Sequence, residues 1–203
     1  MIVEEFNNVN EEPVSREDME KRKNTLAYLR DLISMIAGIM LLFSLCFRVV
    51  IVSGPSMKDT LHHGDLLIVL GDLFYNVPEI GDVVVVSKST FDNGKPIIKR
   101  VIAQEGQTVD IDFDSGIVFV DGRALSEPYC LTPTNLYEGV DFPITVPDGC
   151  VFVMGDNRNE SKDSRSSDIG MVDTREIIGR AVFLLFPSGD RDLSRIGVIS
   201  NGR

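Results

Sequence analysis

From Leu32 to Val52 the chain is apolar at nearly every position, LISMIAGIMLLFSLCFRVVIV, and beyond Val52 it breaks into short β-type runs separated by Gly, Asp, Asn and Pro. The first stretch, about 21 residues or ~31 Å as a helix, matches the hydrocarbon core of a bilayer and predicts a single transmembrane helix over 32–52. Its one charge, Arg48, falls a turn from the outer end, where a long side chain snorkels to the interface. Lys21, Arg22, Lys23 and Arg30 precede the run and no comparable cluster follows it. The positive-inside rule therefore puts residues 1–31 in the cytoplasm, as a solvated tail, and 53–203 outside. Two alternatives fit less well: a core helix would carry a polar stripe, and a cleaved signal peptide would begin nearer the N-terminus.

In the exported part the runs Leu66–Leu70, Val83–Ser87, Pro96–Ile102, Thr108–Asp112, Ile117–Val120, Cys150–Met154 and Arg180–Phe186 read as strands. Asp114-Ser115-Gly116 marks a hairpin turn between two of them. Strands this frequent predict a mainly β domain of folded, antiparallel sheets. From about Leu125 to Gly149, four prolines and few strand signals predict a loop-rich insertion. Leu73-Phe74-Tyr75 reads as core packing rather than as an interfacial contact.

Composition narrows the function classes. With 43% hydrophobic and 25% charged residues a packed core is expected. A formal net charge of −11 argues against nucleic acid as a partner. His62, His63 and the three cysteines lack zinc-site spacing, so no metal or other cofactor is implied. Cys130 and Cys150 lie in the exported region, where a disulfide between them is open, as is Cys150 as a small buried side chain at the start of an apolar strand; Cys46 in the apolar run is expected to be free.

Three polar blocks carry candidate chemistry. Ser56 sits in the turn Ser53-Gly54-Pro55-Ser56-Met57, where a hydroxyl can be exposed beside a backbone N–H able to stabilise an oxyanion. It needs a base, and His62 and His63 follow too closely to serve naturally. Lys99 shares its side of a strand with Ile97 and Val101, a setting that disfavours the ammonium. Lowering a lysine from its ordinary value to ~8 raises its neutral fraction at pH 7 from about one in two thousand to about a tenth. The third block, Met154 to Arg165, follows a buried-looking strand; Asp163 and Arg165 can pair there, and Ser161 can bond toward a lysine. Calcium is discounted, because Arg158 stands where an EF-hand-like pattern needs a ligand. Taken singly, a turn serine and an exposed Lys-Arg pair are the ordinary explanations of the first two blocks.

Together, in this order behind one anchor, the blocks resemble those of type I signal peptidases, membrane-bound Ser-Lys endopeptidases that remove signal peptides from exported proteins. Ser56-Met57 with Thr60-Leu61, Gly81-Asp82-Val83-Val84-Val85, Lys99-Arg100, Gly155-Asp156-Asn157-Arg158 with Ser161 and Asp163-Ser164-Arg165, and Ile178-Gly179-Arg180-Ala181 carry the resemblance. It implies a β-rich catalytic domain over 53–203, with a variable insertion at about 107–149. It further implies Ser56 as nucleophile, Lys99 as general base, Ser161 as the hydroxyl orienting the amine, and Asp163 and Arg165 as supports. Val52, Met57 and Ile98 would line shallow pockets for small side chains of secretory preproteins, with the substrate extended along strand edges near Val83 and Ile98. The implied setting is a single-pass protein of the cell membrane, in contact with the lipid bilayer.

Two positions depart from the family pattern. Gly54 stands where some members place a serine that donates to the oxyanion, and Asp59 where proline is common. Two other functional classes stay in view: a Ser-Lys self-cleaving regulator, disfavoured by the apolar run and the lack of a basic recognition helix, and a non-catalytic anchored β protein.

Overall fold

The computed structural model describes residues 15–58, 60–189 and 192–202. The first part of the acidic leader, through residue 14, and Asp59 lie outside the described residues. The chain divides into two compact units, one through Ser44 and one from Leu45 onward.

The first unit is a helix, α1 (Arg16–Cys46), about 46 Å long at 1.5 Å per residue. Its stretch Met19–Cys46 is long and apolar enough to cross a membrane, and its apolar side chains, Ile33, Ile36, Leu41 and Phe43 among them, are exposed. An unburied apolar surface all round a helix is what hydrocarbon, and not water, accommodates.

The helix expected over 32–52 is in fact two elements. It stops at Cys46, and β1 (Phe47–Ile51) pairs antiparallel with β2 (Leu66–Gly71) in an unbroken register from Phe47 opposite Leu70 to Ile51 opposite Leu66. The cause is local: Val49-Val50-Ile51-Val52 is a β-branched run, stiff at χ1 and better suited to a pleated sheet than to a helix. Apolar content alone cannot separate the two. Arg48, expected to snorkel from a helix end, instead lies on β1 and bonds Asp72 Oδ1 at 2.9 Å.

The remaining strands follow as β3 (Val83–Val86), β4 (Ile97–Gln104), β5 (Thr108–Asp112), β6 (Ile117–Val120), β7 (Arg123–Ala124), β8 (Ile144–Thr145), β9 (Cys150–Met154), β10 (Val172–Asp173), β11 (Ile177–Phe186) and β12 (Gly197–Val198). All their pairings are antiparallel. The larger sheet runs β1-β2-β11-β3-β4-β9-β10, with β12 added to β11; the smaller runs β7-β6-β5-β8 and lies wholly within the expected insertion. The seven strands read from the sequence are all present, and β5, β6 and β9 have the expected limits. From Leu125 to Gly149 only the two-residue β8 interrupts irregular backbone, as the prolines foretold.

Three apolar clusters hold the sheets. One joins Val52, Met57 and Leu61 to Val83, Val85, Ile98 and Leu184. A second packs Ile102, Phe152 and Met154 of the larger sheet on Val109, Ile111, Val118 and Val120 of the smaller. The third sets Val84, Val86 and Val101 beside Val151, Val153 and Ile177. Central strands β3 and β4 are thus buried on both faces, so β4 from Ile98 to Ala103 has no solvent side. Leu73 and Phe74 overturn the core expectation: both are exposed, and only Tyr75 turns inward, donating to Asp82 Oδ2 at 2.6 Å. Cys130 and Cys150 are free thiols, Cys130 Sγ bonding to the Thr132 carbonyl at 3.0 Å.

Candidate active site

The turn that carries Ser56 is closed by Lys58 N–H to Pro55 O at 2.9 Å and Leu61 N–H to Met57 O at 2.6 Å. Met57 and Leu61, both fully buried, pin it to the core and leave Ser56 half-buried at the surface of the site. Gly54 adopts φ +93°, a left-handed conformation that favours glycine, and donates its N–H to His63 Nδ1 at 3.2 Å. A serine at Gly54 would be strained, so the departure noted in the sequence belongs to the shape of the turn.

Lys99, near the start of β4 opposite Val84, points its amine at the turn: Nζ donates to Ser56 Oγ at 2.7 Å. The side chain is 3% exposed. Burial pushes its pKa down to about 8; Asp163, Glu138 and Asp156 pull it back up, and Arg165 adds to the fall. A partly exposed hydroxyl thus meets an amine that is neutral in a useful fraction near neutral pH. Among the described residues the Ser56 N–H has no acceptor, which leaves it available to an oxyanion.

The loop after β9 closes the site from the other side. Asn157 N–H donates to Ser56 O at 3.0 Å, and Asn157 Nδ2 to Pro55 O at 3.2 Å. Gly155 lets the two segments meet: a Cβ there would lie 2.2 Å from Ser161 Oγ and 2.5 Å from Ser56 O, closer than atoms can approach. Ser161 Oγ donates to Asp163 Oδ2 at 2.7 Å, and Asp163 also accepts from the Gly155 N–H at 3.0 Å. Arg165 grips Asp163 with Nε and Nη2, both at 2.8 Å, so the expected pairing is present as a two-pronged, fully buried ion pair. Ser56, Lys99, Ser161, Asp163, Arg165 and Gly54 therefore converge through the turn and this loop.

Val52, Met57, Val83 and Ile98 fall into one core cluster beside the turn. The expected strand edges need correction. Val83 pairs with Arg100 inside the sheet and is fully buried, so it offers no edge. The first residues of β4 do offer one: β9 joins β4 only from Arg100 opposite Met154, which leaves Ile97–Lys99 unpaired on that side.

Sequence reasoning missed the polar frame beside the Ser56–Lys99 contact. Arg100, fully buried, holds Asp156 with Nε at 2.8 Å and Nη2 at 2.6 Å, donates to the carbonyls of Gly81 and Ser200, and stacks 4.0 Å from the centre of the Tyr129 ring. Asp156 also accepts from Thr60 Oγ1, tying β4, the Ser56 turn and the loop together. Arg158 is clamped by Glu127. The available signal was Arg100 itself: in a strand whose residues other than Lys99 and Arg100 are apolar from Ile97 to Ala103, a guanidinium needs a buried carboxylate.

A family model described as "Signal peptidase, peptidase S26" matches residues 25–186. The chain is 41% identical over 145 residues to a "Probable signal peptidase I-1" of Synechocystis sp., covering 68% of this chain and 70% of that one. It is 33% identical over 184 residues to a "Signal peptidase I" of Bacillus licheniformis, covering 86% of this chain and 96% of the relative. A crystal structure of a signal peptidase I from Enterococcus faecalis is 30% identical, covers 52% of this chain and 97% of that one, and superposes with a TM-score of 0.42. By the span of that family model and the length of these relatives, the chain belongs to the signal peptidase family, peptidase S26, hydrolases that remove signal peptides from preproteins.

Proposed function

We propose that the chain is a single-pass membrane endopeptidase that cleaves signal peptides with Ser56 as nucleophile and Lys99 as general base, through an acyl-enzyme. The observation that carries this reading is the 2.7 Å contact between the Ser56 hydroxyl and a buried amine whose pKa is pushed down to about 8. Neutral Lys99 takes the Ser56 proton as Oγ attacks the scissile carbonyl, and the Ser56 N–H meets the oxyanion. Collapse expels the new N-terminal amine, which takes the proton back from Lys99. Water then attacks the ester, giving a proton to Lys99, and the tetrahedral species collapses with Ser56 Oγ leaving as it takes that proton back. Ser161 Oγ donates to Asp163, which Arg165 grips, and its remaining lone pair would accept from the amine to orient it; among the described residues the printed hydrogen bond of Lys99 Nζ is to Ser56 Oγ.

The open side of Ile97–Lys99 suits an extended substrate segment, which would add main-chain hydrogen bonds at the end of β4. Apolar Val52, Met57 and Ile98 beside it favour small side chains before the cleavage point. The exposed apolar surface of α1 suits lipid, with Lys21, Arg22, Lys23 and Arg30 on the cytoplasmic side and the catalytic domain outside. Tethering to the bilayer that also holds the signal peptide raises effective concentration. The test is cleavage of an Ala-x-Ala precursor by the full chain in detergent micelles. Wild type should cut it, and Ser56→Ala and Lys99→Ala should each lose at least ~1000-fold; equal cleavage by all three would refute the dyad.

A further inference from the structure

The ionisable groups around the dyad pair off, with one exception. Arg100 is held by Asp156, Arg158 by Glu127 and Arg165 by Asp163. Glu138 is the second anion beside Arg165, in a looser ion pair at 3.8 Å. It belongs to the insertion, on a strap fastened to the loop by backbone contacts: Gly139 bridges to Ser166, Val140 N–H donates to Arg165 O at 3.2 Å, and Arg165 Nη1 reaches Leu136 O at 3.4 Å. Its carboxylate turns inward, 13% exposed, with Oε2 3.8 Å from Arg165 Nη2, beyond hydrogen-bond range. That oxygen is buried without a donor among the described residues, while Arg165 already serves Asp163 and the carbonyls of Arg158 and Ser161. An ionised oxygen left like this is costly, and it calls for a use of its charge.

The charges around it supply that use. With Lys99 neutral, Arg165, Asp163 and Glu138 carry one excess negative charge between them; with Lys99 protonated, the four groups are balanced. We propose that Glu138 is a positioning residue for proteolysis: acting beside Arg165 and Asp163, it supplies the negative charge that balances the ammonium formed when Lys99 takes the proton of Ser56. Glu138 exchanges no proton in this step and does not touch substrate. The assignment rests on the Ser56–Lys99 reading above. The Glu138 carboxyl is pushed up on balance, by burial first and then Asp163, with Arg165, Lys162 and Lys99 opposing; for Lys99, the anions Asp163, Glu138 and Asp156 favour the charged form against burial and Arg165. A catalytic base is thereby tuned by a side chain of the variable insertion, outside the blocks that carry the family resemblance.

The test is direct titration of Lys99 in full chain labelled with 15N and 13C lysine in detergent micelles, its signal identified by its loss in Lys99→Arg. Glu138→Gln keeps shape and removes the charge, and the Lys99 midpoint should drop by about half a pH unit. The acid limb of kcat/KM on the Ala-x-Ala precursor should move the same way, with the high-pH plateau several-fold lower. Glu138→Asp should keep the wild-type midpoint. If the amide is not tolerated, Glu138→Ala gives the same readout. A lowered melting temperature with an unmoved Lys99 midpoint would make Glu138 a structural residue and overturn the proposal. Activity that survives Lys99→Ala would instead remove the dyad on which it rests, so the two failures are told apart.

Discussion

Replacing Lys99 with methionine should abolish cleavage and yet stabilise the protein at neutral pH. Burial holds the amine at about 8 where a solvated lysine has 10.5, so at pH 7 the folded chain keeps a mostly charged group in a site that disfavours it. At ~1.4 kcal/mol per pH unit the difference is roughly 3 kcal/mol. Because Lys99 is only 3% exposed, solvent screening takes little from that figure. Between about 8 and 10.5 the unfolded chain binds the proton and the folded chain does not, so wild-type stability rises with pH through that window. Below it both states are protonated and the deficit is constant. Methionine matches the length of the stem and removes the charge, but it also loses the hydrogen bond to Ser56, worth about 1 kcal/mol. A net gain of about 2 kcal/mol at pH 7, shrinking to zero or reversing by pH 10.5, is expected. The assay is guanidinium unfolding of the full chain in micelles followed by tyrosine fluorescence, since the chain has four tyrosines and no tryptophan. A Lys99→Met protein less stable than wild type at pH 7, or a stability difference flat from pH 7 to 10.5, would refute the reasoning.

Gly155→Ala should cost about 100-fold or more in kcat/KM, because its Cβ would sit 2.2 Å from Ser161 Oγ and 2.5 Å from Ser56 O. Gly197→Ala, with nothing within 4 Å, should leave the rate unchanged; similar rates for the two variants would rule out the close approach. Asp156→Ala strands the buried Arg100 guanidinium and should destabilise by ~3–5 kcal/mol. The double change Arg100→Met with Asp156→Leu should recover much of that loss in the same unfolding experiment, and failure to recover would assign the cost to packing.

The strand pattern was legible because most strands here are short apolar runs between strong turn residues: β5, β6 and β9 match their expected limits. Ser56 and Lys99 were singled out through motif blocks and lie 2.7 Å apart, and the hydrophobic side assigned to Lys99 agrees with Val84 as its cross-strand neighbour. What escaped was long-range. Nothing near Phe47 in the chain announces that its partner is Leu70, so the apolar run read as one helix past Cys46. The edge that the resemblance implied near Val83 is closed by β4, and no local pattern reveals how many strands lie to either side. Glu138 and the Arg100–Asp156 pair depend on contacts between segments 27 and 56 residues apart, which no local pattern encodes.

Lys99 and Arg100 are neighbours in β4 with opposite electrical duties. In the proposed reaction Lys99 serves by taking up and giving back a proton, whereas Arg100 serves by gripping the Asp156 carboxylate with two donors. The pleat keeps these duties apart by sending consecutive side chains to opposite sides of the sheet. Exchanging the pair, lysine for arginine and arginine for lysine, would leave composition, net charge and total hydrogen-bonding groups almost untouched. The resulting protein would have a guanidinium that cannot serve as a base and an ammonium too narrow to grip a carboxylate with two prongs. Order along the strand, rather than the inventory of residues, is what separates an enzyme from its inactive anagram.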